Sequence, residues 1–241
     1  MKRIFDAATP ELMDLPQPVS AELEQDLANL RSLNRWFGGY RIIHHFLRRW
    51  LRANSKIRLL DVATGSGDVP RLIVDYARSR NVPVEIEAID QQEATIEIAR
   101  RLSVSYPEIS FSCADLFAWG ADDAYDIVIC SLALHHFSEE DVIRALRKFR
   151  ELSSGAILVT DLQRSRFLSL AVFVVTETLY REPMTKFDGR LSAARAFSFA
   201  EMDQLAKRAG WEQFHHASFF VGRQAIWLDP APTLFPAGEK N

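Results

Sequence analysis

The sequence predicts a doubly wound α/β fold with a mostly parallel, seven-stranded sheet. Two observations carry that prediction. Short apolar runs alternate with helix-period segments over more than a hundred residues. The first such run, IRLLDV, ends in a Gly-rich turn, ATGSGD, that opens a helix. With 241 residues and 48% hydrophobic content, the chain is sized for one unit with a substantial core.

Leu23, Leu27, Leu30 and Leu33 recur at helical spacing, and YRIIHHFLRRWL resumes the period after Gly38 and Gly39. Two helices therefore precede the main fold. Beyond IRLLDV a helix is expected from about Asp68 to Arg80. There follow VEIEAID and the helix QQEATIEIARRL, then ISFSCAD, then YDIVICSLAL with the helix EEDVIRALRKFREL, and then GAILVTDL. Ser138 and Asp141 cap the helix after the fourth strand, and Ser198 with Glu201 opens a later one that ends at Gly210. Between them, residues 162–197 interrupt the alternation at a strand's carboxyl end, the place for a substrate cover. Trp211 to Phe220 and Val221 to Leu228 fit a terminal hairpin, and the tail DPAPTLFPAGEKN reads as loosely ordered. The expected organisation is a helical cover (1–56), a core (57–161), a lid (162–197) and a closing helix and hairpin (198–241).

Composition excludes several classes. A net charge of -3 gives no cationic field for nucleic acid or anionic lipid. The apolar stretch from Phe167 to Tyr180 is shorter than the ~20 residues of a spanning helix, so no stable membrane insertion is expected. No signal peptide is apparent at the start, which makes a cytoplasmic location the default expectation. Cys113 and Cys130 lie in strand-like runs without metal or redox spacing and read as core thiols. The oligomeric state, monomer or homodimer, is left open.

The chemistry begins at LLDVATGSGDVP, where a strand delivers Asp61 and then Gly65, Ser66 and Gly67 into a turn whose backbone amides are exposed. Pro70 takes the place where a dinucleotide fingerprint needs a small residue, and Gly-Lys-Ser/Thr is absent. A nicotinamide oxidoreductase or a P-loop protein is therefore disfavoured. The second strand ends in Asp90, whose carboxylate can accept both hydroxyl protons of a ribose. Asp61 has an alternative role as cap of the following turn, and Asp115 as N-cap of LFAWG.

LLDVATGSGD, EAIDQ, SCADLF and YDIVICSLALHHF resemble, in this order, the successive motifs of class I S-adenosylmethionine-dependent methyltransferases, over roughly Ile57 to Asp161. The resemblance implies S-adenosylmethionine as cofactor. It places Gly65 and Gly67 against the methionine part, Asp90 at the ribose hydroxyls, Asp115 and Leu116 beside the adenine, and Ser131 and Leu132 as the pocket's closure, with Asp61, Ala63, Ser66 and Gln91 as further cofactor contacts. Ala63 stands where the family usually has glycine; its methyl narrows the turn, and it fits without a positive φ if the backbone there is ordinary. LNRWFGGYR resembles the segment preceding the core in quinone-biosynthesis methyltransferases, which makes Trp36 and Tyr40 candidates for acceptor contact.

All six histidines occur in adjacent pairs. Neighbouring side chains diverge on helices and strands, so no metal site is expected. His135 and His136 lie just past the fourth strand and are the candidate catalytic residues, with His135 as general base. In the lid, Phe173 and Arg195 are candidates for binding an aromatic acceptor and its oxyanion. The expected reaction is methyl transfer to oxygen on a small phenol-, quinol- or polyketide-like acceptor. The alternative is a cofactor-binding, non-catalytic interaction protein.

Overall fold

The computed structural model describes residues 2–51, 56–120, 123–220 and 222–230. The tail from 231 onward lies outside the described residues. Seven strands form one sheet in the order β3-β2-β1-β4-β5-β7-β6. These are β1 (Ile57–Val62), β2 (Val84–Asp90), β3 (Ile109–Cys113), β4 (Tyr125–Ser131), β5 (Ser153–Leu162), β6 (His215–Phe219) and β7 (Arg223–Leu228). β1 to β5 pair in parallel, while β7 runs antiparallel to β5 and β6 antiparallel to β7. The order reverses at β1 and β4, which opens a crevice at their carboxyl ends.

The helices α1 (Ala21–Trp36), α2 (Gly39–Trp50), α3 (Asp68–Ser79), α4 (Glu93–Leu102), α5 (Glu139–Leu152), α6 (Arg166–Leu179), α7 (Pro183–Arg195) and α8 (Phe199–Arg208) cover the sheet. On one face, Ile42, Phe46 and Trp50 of α2 and Ile73 and Val74 of α3 pack on Leu59, Ile86 and Ile127. On the other, Val142, Leu146 and Phe149 of α5 and Leu205 of α8 pack on Leu60, Val128 and Ile157. Successive strand residues thus feed opposite cores, as both-sided burial requires. Ser138 caps α5, and Ser198 with Glu201 forms a complete capping box on α8. Cys130 is buried, whereas Cys113 is exposed because β3 is an edge strand with an uncovered end.

Two additions sit over the crevice. α1 buries Leu23 and Leu27 against Ala94 and Ile98 of α4. The segment between β5 and α8 is the pair α6 and α7, closed at its base by a bridge between Gln163 and Phe197. Residues 2–19, to which the sequence assigns no element, strap these parts together. Arg3 donates to the carbonyls of Arg195, His135 and Phe137. The backbone amides of Leu12 and Met13 donate to Asp188 of α7 at 2.7 and 3.0 Å.

Candidate active site

A cavity of about 420 Å³ lies at the carboxyl ends of β1, β2 and β4, and α1, α6 and the amino-terminal strap close over it. The turn after β1 forms its floor. Gly65 has φ +55, and a Cβ built there meets nothing within 4 Å, so this backbone faces open space that a ligand can approach. Gly67, at φ +72, lies behind the turn, where a Cβ would come 2.8 Å from the Phe111 ring. Ala63 has φ 56. The backbone there is therefore not ordinary: the conformation is the one a glycine would adopt freely, and the methyl is held in it at a cost of about 1–2 kcal/mol.

Asp90 ends β2 with both oxygens engaged but not saturated. Oδ2 accepts the Gly65 amide at 2.9 Å and Oδ1 the Gln92 amide at 3.0 Å. One lone pair per oxygen is left toward the cavity. Burial raises its pKa, opposed by these amides. Burial likewise pushes Asp61 up to about 8, with Asp68 and Asp90 adding to the effect.

Asp61, Ala63, Gly65, Ser66, Asp90, Gln91, Leu116, Ser131, Leu132, His135 and His136 all line this one cavity. Other candidates lie elsewhere. The Asp115 side chain is turned away: its Oδ1 accepts the Phe117 amide at 2.9 Å and Gln91 Nε2 at 3.2 Å, which closes a turn over residues 116–118 and corrects the expected helix cap, since no helix forms there. Trp36 is 77% exposed, because the helical turn that puts Leu33 and Phe37 into the cavity points it outward. Tyr40 does not line the cavity itself but donates a 2.8 Å hydrogen bond to Asp68, which does. Phe173 is on the outer face of α6, whose inner face presents Leu168, Ala171, Val172 and Val175. Arg195 is buried, but its guanidinium donates to the carbonyls of Asp6 and Thr9 and serves to hold the strap.

The structure adds groups that sequence reasoning passed over. Glu11 and Asp14 enter the cavity from the strap, and Arg31 and Arg223 from α1 and β7. Glu11, only 2% exposed, accepts from Ser192 Oγ at 2.7 Å. Nη1 of Arg31 and of Arg223 are buried without a hydrogen-bond partner among the described residues. Burial lowers the Arg223 pKa to about 10.

The two histidines converge. A 3-10 turn at Leu134–His136 sets their rings 4.3 Å apart, which corrects the expectation that neighbouring imidazoles diverge. His135 Nδ1 is 2.6 Å from Asp161 Oδ1, and His136 Nδ1 is 2.6 Å from Asp14 Oδ2. Burial lowers the His136 pKa, but Glu11 and Asp14 outweigh it and raise it to about 9.

Residues 59–154 match the family model of a methyltransferase domain. The chain carries a class I S-adenosylmethionine-dependent methyltransferase domain. No curated protein sequence matches it. Among solved structures, the methyltransferase is similar to the plantazolicin methyltransferase BpumL, solved in complex with a monoazolic desmethylPZN analog and SAH. The identity is 14%, with 87% of this chain and 90% of that chain covered and a TM-score of 0.65. It is similar to a putative O-methyltransferase from Nostoc punctiforme at 17% identity, 86% and 59% coverage and a TM-score of 0.60. The apo methyltransferase SibL matches at 16% identity, 85% and 57% coverage and a TM-score of 0.61.

The cavity fits the cofactor, S-adenosylmethionine. Five carboxylates (Glu11, Asp14, Asp61, Asp68 and Asp90) against two arginines favour a sulfonium cation, and the orphan guanidinium hydrogens suit its carboxylate. No described helix is long and apolar enough to cross a membrane.

Proposed function

We propose that this methyltransferase transfers the cofactor's methyl group to a hydroxyl of a small apolar or aromatic acceptor of phenol, quinol or polyketide type. One observation carries the reading. The cavity that contains the Gly65 turn and Asp90 extends without a partition to an apolar wall of Leu27, Leu30, Phe37, Leu168 and Val172, with the Glu11–His135–His136 cluster on the same surface.

In this reading Asp90 accepts the ribose hydroxyls, Gly65 and Ser66 approach the methionine part, and Gln91 and Leu116 border the adenine. Ser131 and Leu132 close the site toward the acceptor. Residues 1–56 cover the cofactor and 162–197 the acceptor, within one unit that residues 198–241 complete. The transfer is an in-line displacement: the sulfur–methyl bond breaks as the oxygen–methyl bond forms, and S-adenosylhomocysteine leaves. The protein's work is alignment and exclusion of water. The acceptor's proton is lost on the side of the histidines, where His135, its ring fixed by Asp161, offers Nε2.

A second reading, a cofactor-binding protein that acts through contact with another protein, is favoured by the outer face of α6, where Phe167, Leu170 and Phe173 are exposed. An acceptor panel separates the two. Phenols, quinols and polyketide-like enols are incubated with the purified chain and S-adenosylmethionine, and S-adenosylhomocysteine and methylated product are quantified. Equal formation of both with at least one acceptor supports transfer. Saturable cofactor binding with no product from any acceptor supports the second reading.

A further inference from the structure

We propose that Glu11, His135 and His136 form a binding site for a divalent transition-metal ion of the zinc and ferrous class, with an open coordination position facing the acceptor half of the cavity.

The three donor groups lie within 4.8 Å of one another. His135 Nε2 is 3.8 Å from Glu11 Oε1, and His136 Nε2 is 3.8 Å from Glu11 Oε2. These separations are too long for hydrogen bonds. They are close to what a cation between the groups requires, since ligand bonds of about 2.0–2.2 Å at tetrahedral angles put donor atoms about 3.4 Å apart. The three donor atoms lie within 4.8 Å of one another, so closing them on an ion takes a contraction of at most about 1.4 Å at the widest pair, within reach of small rotations of the Glu11 and histidine side chains.

The surroundings point the same way. Each imidazole has its Nδ1 against a carboxylate at 2.6 Å, Asp161 for His135 and Asp14 for His136. That pairing directs the Nδ1 proton outward to the acid and the Nε2 lone pair inward to the shared centre, the carboxylate–histidine–metal arrangement of metal sites. Ser192 Oγ donates to Glu11 Oε1 at 2.7 Å and fixes the third ligand. The three carboxylates around these two imidazoles also make a concentrated negative centre, which a dication offsets. Two imidazoles and a carboxylate suit zinc or ferrous iron, and three protein ligands with a vacant position are the pattern of catalytic rather than structural sites.

The function of the ion rests on the acceptor reading given above. Its vacant position takes the acceptor oxygen, and its charge lowers that oxygen's pKa. With the ion bound, His135 Nε2 is a ligand and gives up the role of base described above: the hydroxyl proton passes to water, and the oxygen–methyl bond forms as the sulfur–methyl bond breaks. The ion is not consumed and no oxidant is needed.

The test uses the full chain treated with a chelator and dialysed, then titrated with Co²⁺ while its visible d–d absorption is followed, with Zn²⁺ as competitor. The expected result is saturation at one equivalent, displaced by Zn²⁺. Glu11→Gln and His136→Asn should each weaken Co²⁺ binding at least 30-fold. Asp14→Asn, which touches only the outer nitrogen of His136, should weaken it about tenfold. S-adenosylhomocysteine binding and cooperative thermal unfolding report that each variant is folded. Absence of saturable Co²⁺ binding by the wild-type chain overturns the proposal, as does binding unchanged in folded Glu11→Gln and Asp14→Asn. A chain that binds Co²⁺ but methylates no phenol, quinol or polyketide-like enol refutes the acceptor reading alone. One that methylates phenols but binds no metal refutes the metal site alone.

Discussion

Asp90→Ala removes a carboxylate whose two oxygens are each half-used by the backbone. Gly65 and Gln92 donate at 2.9 and 3.0 Å, which leaves one lone pair per oxygen for a ribose hydroxyl. Hydrogen bonds to a charged acceptor are worth about 1.5–3 kcal/mol each, so losing two costs at least about 3 kcal/mol of cofactor affinity. At 1.4 kcal/mol per decade this is a loss of about 100-fold or more. The fold is affected less. The two amides lose their acceptor, but a buried carboxylate whose pKa burial has raised is removed at the same time. Calorimetric titration with S-adenosylhomocysteine, alongside thermal unfolding, separates the two effects. A loss under about tenfold in a folded variant would refute the assignment of Asp90 to the ribose.

Three further perturbations test other parts of the site. Asp61 has its pKa raised to about 8 by burial, so it is protonated in the folded chain over a range where the unfolded chain, with an ordinary value of 3.8, is ionised. Its contribution to stability is therefore full below about pH 4 and lost as pH rises through about 8. A cationic cofactor favours the carboxylate. Binding S-adenosylmethionine at pH 7 should release up to about one proton and tighten toward pH 8, seen as buffer-dependent calorimetric heats that Asp61→Asn abolishes. Gly67→Ala should destabilise the fold by about 2–3 kcal/mol, from a left-handed alanine and an overlap with Phe111, and lower Tm by roughly 5–10 °C. An unchanged Tm would contradict the described turn. Val172→Trp fills the acceptor half and should lower kcat/KM about tenfold or more while leaving S-adenosylhomocysteine affinity within about threefold. Equal losses in both would place α6 against the cofactor instead.

The β-turn-α alternation, the glycine turn, Asp90 and the caps at Ser138 and Ser198 were legible in the sequence because each rests on local physics: a period, a backbone conformation or a side chain bonding three residues away. The orientation of α6 was not. Phe167, Leu170 and Phe173 are as apolar as Leu168, Val172 and Val175, so periodicity gives no means of choosing which stripe lines the cavity. Asp115 carried an adenine reading from the resemblance and a helix-cap reading from its neighbours; residues 116–118 form a turn and no helix, and the Asp115 carboxylate closes that turn by accepting the Phe117 amide. Glu11 carried no signal at all. Its neighbours in space, His135 and Ser192, are more than a hundred residues away in the chain, and the strap holding it has no regular period. The His135–His136 convergence depends on a three-residue 3-10 turn that a helix-or-strand reading does not represent.

The central claim is that one cavity aligns cofactor and acceptor between Asp90 and the paired histidines. Its most direct test is an experimental structure of the chain with S-adenosylhomocysteine and a phenolic acceptor. Ribose hydroxyls are expected on Asp90, sulfur beyond the Gly65 turn, and the acceptor oxygen beside Glu11, His135 and His136. A nucleoside bound away from Asp90, or an acceptor oxygen directed to the opposite wall, would contradict it.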